Sequence, residues 1–207
     1  MKILSQRDLE KHPIGLKEFE ECASFIGVYL PSSPELTWPL LSDRFNCEIF
    51  TKHENHLPTG SFKVRGGVWT LGKLQEEGFN RNIIAATRGN HGQSIAYAAR
   101  EFGRKAIVVV PHGNNLDKNQ SMRALGAEVI EHGEDFDSAL AYAKTMSEEK
   151  NLEFLPSYHP ALVTGVGTYA FEFLTAVSAL EIAYVPIGLG SGIAGFLAAK
   201  EALGHCV

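Results

Sequence analysis

Cysteine is scarce and scattered. Cys22, Cys47 and Cys206 stand far apart in 207 residues, and no two form a C-x-x-C pair. That spacing excludes a disulfide framework and reads as the reduced thiols of a cytoplasmic protein. Long apolar runs are lacking as well; none reaches the roughly 20 residues that a membrane-spanning helix needs. The opening segment Met1-Lys2-Ile3-Leu4-Ser5-Gln6-Arg7 turns polar at once and lacks the apolar core of a signal peptide. Repeats, low-complexity stretches and linkers are absent. A net charge of −5 gives no ground for nucleic acid or an anionic membrane as partner. With 44% hydrophobic and 21% charged residues, the chain has the composition of a globular protein and the length for one large domain or two small ones.

Helical patterning covers residues 5–24, broken near His12-Pro13, and Pro31-Ser32-Ser33-Pro34 is a loop. Glu48 to Lys52 alternates like a strand. Pro58-Thr59-Gly60 breaks the chain, Ser61 suits an N-cap, and a helix runs on to Glu77 with Gly78 as its stop. A regular alternation follows. Strands are expected at Ile83–Ala86, Ala106–Val110, Glu128–Ile130, Leu152–Leu155 and Ile182–Ile187. Helices are expected at Gln93–Phe102, Leu116–Leu125, Asp135–Lys150, Thr164–Ala179 and Gly192–Leu203. Apolar strands alternating with helices predict an α/β fold with a parallel sheet covered on both faces. Cys206-Val207, after the Gly204 stop, reads as the first step of a further strand, so the chain is expected to be the front portion of a longer protein.

Three segments carry chemistry. Lys63, in Ser61-Phe62-Lys63, sits near a helix start, where the helix dipole disfavours a further positive charge and lowers the amine's pKa. A free amine can form a Schiff base and move protons. Gly66 and Gly67 lie inside the same helix and cost about 1 kcal/mol each relative to alanine, so close approach to that backbone is expected. Thr87-Arg88-Gly89-Asn90-His91-Gly92 joins a strand to a helix at the sheet edge where ligands bind, and the helix's free N–H groups suit a carboxylate. Gly188-Leu189-Gly190-Ser191-Gly192 opens another helix and suits a phosphate. Gly190 to Gly195 also matches G-x-G-x-x-G, which leaves a nucleotide-binding module open as an alternative. His53-Glu54-Asn55-His56 lacks the helical spacing of a zinc pair and is read as solvated loop. No metal site is expected.

Taken in order, these residues resemble the fold-type II enzymes dependent on pyridoxal 5′-phosphate (PLP), within them the threonine/serine dehydratase (ammonia-lyase) group. The likeness runs from about Thr37 to Gly204 and includes Lys52 to Asn55, Pro58 to Gly67, the Asn90 loop, Met122 to Val129, Gly165 to Thr168 and Gly188 to Gly192. It implies a tryptophan synthase β-like architecture of three-layer α/β/α sheets in two domains. Residues 1–81 and 157–207 would form a large PLP-binding domain, incomplete at its C-terminal end, and 82–156 a small α/β domain. It implies that Lys63 holds PLP as a Schiff base and removes the Cα proton, that Phe62 packs beside the cofactor, and that Asn90 bonds the ring hydroxyl. Gly188, Leu189, Gly190, Ser191 and Gly192 would cradle the phosphate. Thr87, Arg88, Gly89, Asn90 and His91 would form the substrate loop, with Thr87 and the Gly89–His91 backbone on the substrate carboxylate. Leu189 and Ser191 interrupt what is often a run of glycines. Arg88 stands where related serine racemases carry a serine that protonates the opposite face, and an arginine is a poor acid–base partner. The pyridine-nitrogen partner would lie beyond Val207. The implied activity is elimination of water from threonine or serine, giving a 2-oxo acid and ammonia, in a cytoplasmic homo-oligomer. The alternatives are other fold-type II chemistry (β-replacement or threonine synthesis), the nucleotide-binding module, and an inactive truncated remnant.

Overall fold

The structure, a computed structural model, describes residues 14–207. The first part of the expected N-terminal helix, with its break at His12-Pro13, lies outside the described residues. The described chain opens with α1 (Leu16–Ile26), which buries Phe19, Cys22 and Ile26. A short antiparallel pair follows, β1 (Glu35–Thr37) with β2 (Phe50–Lys52), enclosing α2 (Pro39–Phe45), whose Pro39 fits the first helical turn. A 3₁₀ turn at Glu54–His56 leads to α3 (Lys63–Glu76). Next come β3 (Ile83–Ala86), α4 (Asn90–Glu101), β4 (Ala106–Val110), α5 (Leu116–Ala124), β5 (Glu128–Glu131), α6 (Phe136–Glu149) and β6 (Glu153–Phe154). Two helices close the chain, α7 (Pro160–Ala176) and α8 (Ser191–Leu203).

The four strands β3 to β6 form one parallel sheet in the order β5-β4-β3-β6, with Ile83 opposite both Ala106 and Glu153. Alternate residues of each strand go to opposite layers. Ile83, Ala85, Val108 and Val110 pack with Ile95 of α4 and Met122 of α5. Ile84, Ala86 and Val109 pack with Ala139, Ala143 and Met146 of α6. Burial on both faces is why β3 and β4 read as unbroken apolar runs rather than alternating ones. The expected parallel α/β class with helices on both faces is the one the chain adopts.

A second core joins α1, α7 and α8 through Phe19, Val163, Val166, Leu174, Phe196 and Ala199. Small residues set the crossings. A Cβ on Gly66 would lie 2.9 Å from the Leu162 carbonyl oxygen of α7, and one on Gly67 the same distance from the Ser94 carbonyl oxygen of α4. The approach expected at this glycine pair is made by two helices. α3 is thereby clamped between α4 and α7, which fixes the direction of its first residue, Lys63.

One expected strand does not form. Residues 182–187 have no ladder, and Ile182, Tyr184 and Ile187 are 69%, 95% and 70% exposed. An extended segment becomes a strand only beside a partner for its N–H and C=O groups, and none lies beside it among the described residues. Three helices begin earlier than expected, α8 by one residue, at Ser191. α4 starts at Asn90, and α7 starts at Pro160, where His159 Nδ1 accepts a hydrogen bond from the Ala161 N–H. Strand β2 is shorter than the expected 48–52.

Candidate active site

Lys63 is the first residue of α3, and Phe62, not the expected Ser61, occupies the cap position with helical torsions. Ser61 lies one residue further out, and its Oγ accepts a weak bond of 3.4 Å from the Lys63 N–H. Burial pushes the Lys63 amine below its ordinary pKa. The structure thus adds desolvation to the helix-dipole effect, and both act in one direction. The Lys63 carbonyl accepts a 2.6 Å hydrogen bond from Ser94 Oγ, which pins the helix start to α4.

Lys63 opens onto a cavity of about 310 Å³ lined by Phe62, Lys63, Asn90, the segment 186–190, Ser191 and Gly192. The Phe62 ring lies 5.9 Å from Lys63 Nζ and stacks on Tyr169 at 5.6 Å. Gly192 abuts the same ring; a Cβ there would come within 3.0 Å of it. Opposite stands the Gly188–Gly192 loop. A Cβ on Gly188 would meet nothing within 4 Å, so that backbone is open to a ligand. Gly190 adopts φ +101°, which side-chain-bearing residues avoid, and thereby turns the loop into α8. The first N–H groups of α8 have no intrahelical acceptors and carry the positive end of the helix dipole. An open glycine backbone, a helix start and a half-buried amine on one cavity fit a phosphate ester that carries an aldehyde.

Asn90 is exposed and lines the cavity as the first residue of α4. Its neighbours Thr87, Gly89 and His91 are buried beside it, and Thr87 Oγ1 accepts from the Gly89 N–H at 3.0 Å. His91 Nε2 lies 3.3 Å from the Leu155 carbonyl, to which it donates, while its Nδ1 is buried without a partner among the described residues. Burial pushes His91 down to about 4, so it is neutral at physiological pH. Arg88 points outward and does not line the cavity. Lys118 of α5, which the sequence reading passed over, lies across this loop. A Cβ on Gly89 would fall 2.6 Å from its Cδ and 2.9 Å from its Nζ.

Behind Lys63 sits a charge cluster that sequence reasoning also missed. Arg65, 1% exposed, makes two bonds to Glu54 (2.8 and 2.9 Å), two to Glu172 (2.7 and 2.9 Å), and one each to Thr168 at 3.2 Å and Ser33 Oγ at 3.3 Å. Lys52 Nζ joins Glu172 to Glu35 at 2.7 and 2.6 Å. Burial opposes the charge on Arg65, but the Glu172 and Glu54 carboxylates outweigh it and raise its pKa. Burial likewise pushes Glu172 upward, and Arg65 and Lys52 outweigh it and lower it. The cluster ties the 3₁₀ turn, α3 and α7 together two residues past Lys63. His53, on the same turn, is half-buried rather than solvated, with Nε2 3.0 Å from Thr51 Oγ1. Among the described residues no group of three or more His, Cys, Asp or Glu could hold a metal ion.

The family model described as "Pyridoxal-phosphate dependent enzyme" matches residues 31–207. The chain belongs to that family. It is 39% identical over 156 residues to the L-threonine dehydratase biosynthetic IlvA of Haemophilus influenzae, covering 75% of this chain and 30% of that one. It is 37% identical over 165 residues to the L-threonine ammonia-lyase of Thermotoga maritima, covering 79% and 41%. The crystal structure of a threonine deaminase from T.th. superposes with a TM-score of 0.82 at 30% identity, covering 91% and 61%. The chain therefore spans under two thirds of the length of each of these relatives. The Gly188–Gly192 loop lacks the surroundings of a dinucleotide fingerprint. No paired strand precedes the loop among the described residues, and Gly195 serves helix packing, its Cβ position lying 2.7 Å from Gly167 Cα. No helix of the described residues is long and apolar enough to cross a membrane.

Proposed function

We propose that the whole protein eliminates water from threonine or serine, giving a 2-oxo acid and ammonia. The observation that carries this reading is the meeting of Lys63, Asn90 and the Gly188–Gly192 loop on one cavity, from three separate stretches of the chain. When bound there, PLP supplies an electron sink for the pair left on the substrate's Cα. The residues of this chain hold and orient the reactants. Backbone N–H groups of Gly188 to Gly192 hold the phosphate, Asn90 bonds the ring hydroxyl, and Phe62 packs against the ring. Thr87 and the N–H groups of Gly89 to His91 take the substrate carboxylate, with Lys118 adding positive charge on that loop. Lys63 Nζ anchors the cofactor and accepts the Cα proton, a role favoured by an amine whose ammonium form burial destabilises. Arg88, exposed, orients no proton at the opposite face.

Support for the names comes from the dehydratase and ammonia-lyase relatives. The same reading divides the chain into 1–81 with 157–207 and 82–156; all four strands of the parallel sheet fall within the latter. It also makes the protein a cytoplasmic homo-oligomer that works on a free amino acid, not on nucleic acid or membrane, in keeping with its net charge of −5. The test is borohydride reduction in the presence of PLP followed by peptide mapping. The label is expected on Lys63 and lost in Lys63→Ala; a label on another lysine would refute the assignment. Release of 2-oxobutanoate from threonine tests the reaction itself.

A further inference from the structure

Lys63 Nζ donates a 2.5 Å hydrogen bond to Ser191 Oγ, 128 positions away in the chain. Ser191 is 1% exposed and is the first residue of α8, so its hydroxyl is held at the cavity wall and not turned to solvent. Nothing else lining the cavity offers a counter-charge. Of the residues lining it, Lys63 alone can titrate. His91, facing it from α4, is neutral by burial, and so is the Tyr169 phenol on α7, whose pKa burial raises. The segment 186–190 and α8 bring no charged side chain to the cavity. The ring of Phe62 offers only its π face, 5.9 Å away. A half-buried ammonium without a carboxylate needs a neutral oxygen acceptor, and Ser191 Oγ is the one it has.

We propose that Ser191 Oγ is the acceptor that holds Lys63 in its ammonium form, a role beyond the backbone contribution of Ser191 to the phosphate loop. The proposal rests on the reading of Lys63 as the Cα base. When Lys63 takes that proton, the C–H bond breaks, its electron pair stays with the substrate, and the proton comes to Nζ. Ser191 Oγ then accepts the hydrogen bond of the new ammonium and keeps it in the cavity. A glycine at 191 would leave the backbone donors for a phosphate intact but remove the acceptor. The serine that interrupts the glycine run therefore has a chemical consequence.

The experiment is competitive acetylation of the chain without cofactor, using acetic anhydride across a pH series. Rates at Lys63 are read by peptide mass spectrometry against exposed Lys105 as internal reference. In Ser191→Ala and Ser191→Gly the Lys63 midpoint should move to lower pH. The rate at a fixed pH below it should rise roughly tenfold, the scale of one hydrogen bond to a charged group. The high-pH plateau should stay where it was. Ser191→Thr, which keeps the hydroxyl, should behave as the parent. A raised plateau with an unmoved midpoint would mean that Ser191 only screens the amine, and would overturn the proposal. So would a midpoint moved upward, because Ser191 would then be a donor to the neutral amine. Far-UV circular dichroism confirms that each variant is folded, and either Ala or Gly suffices. Borohydride mapping to Lys63 fails independently if the assignment of the base is wrong.

Discussion

Replacing Arg65 by methionine tests what holds the front of α3 in place. The side chain is nearly inaccessible, and its five bonds to Glu54, Glu172 and Thr168 lie between 2.7 and 3.2 Å. Methionine preserves much of the volume but leaves two carboxylates facing an apolar chain. Breaking a buried ion pair from one side costs about 3–5 kcal/mol, because the stranded charges stay desolvated. Lys52 still faces Glu172, which places the expected loss toward the lower end of that range. With a urea slope of roughly 2 kcal/mol per molar, the unfolding midpoint should fall by about 1.5 M. Lys73→Met is the control, since its partners Glu21 and Glu76 are exposed and its loss should be several times smaller. The pH dependence has a definite sign. Glu172 has a folded pKa below its unfolded value, so its contribution is complete above the unfolded value and is lost as pH falls through the folded one. The gap between parent and Arg65→Met should therefore be largest near neutrality and narrow on acidification below roughly pH 4. An Arg65→Met midpoint within error of Lys73→Met at pH 7 would refute the view that this cluster holds the helix start.

Two further outcomes are expected. His91, pushed down to about 4 by burial, is neutral when folded and takes up a proton more readily when unfolded. Its neutral burial should thus cost the protein about 3 kcal/mol of stability as pH falls from above 6.5 to about 4. His91→Gln should flatten that slope in urea unfolding at a pH series; an unchanged slope would show that His91 is not its source. In the whole protein, L-serine should give pyruvate faster than D-serine, because Arg88 supplies no proton on the face opposite Lys63. Arg88→Ser should raise D-serine relative to pyruvate by chiral assay, and D-serine forming as fast as pyruvate in the parent would contradict the reading.

What the sequence made legible was local. The strands Ile83–Ala86 and Ala106–Val110 could be read because burial on both faces forces an uninterrupted apolar run. The helix expected from Asp135 starts there because the Asp135 carboxylate caps it, accepting from an N–H three residues on at 2.8 Å. Gly78 and Gly204 marked helix ends because each takes up positive φ there. Errors arose where one rule met another. Gly89 and Gly92 suggested a loop, yet α4 begins between them, since Gly92 is buried in the first turn. α7 begins at Pro160 rather than at the expected Thr164, since a proline at the first helical position has no N–H to waste.

The misread strand at 182–187 and the missed contacts of the site have one cause. Alternating apolar residues specify an extended backbone with two faces, but a ladder is a property of two segments, and the pattern of one says nothing of the other. The same holds for charges. Arg65 and Glu172 are 107 positions apart and Lys63 and Ser191 are 128, and no periodicity links members of such pairs. What could be read was which residue types stand at which helix starts, and this was enough to nominate Lys63, Asn90 and Gly188 to Gly192 as parts of one site. Their convergence depends on Gly66, Gly67, Gly165 and Gly195. A Cβ on any of these would stand within 3 Å of a neighbouring helix's backbone, so its absence lets α3, α4, α7 and α8 close on one another. Those glycines look like flaws in good helices when each helix is read alone. They become necessary once the helices cross, and the crossings aim an amine from α3 at a loop leading into α8.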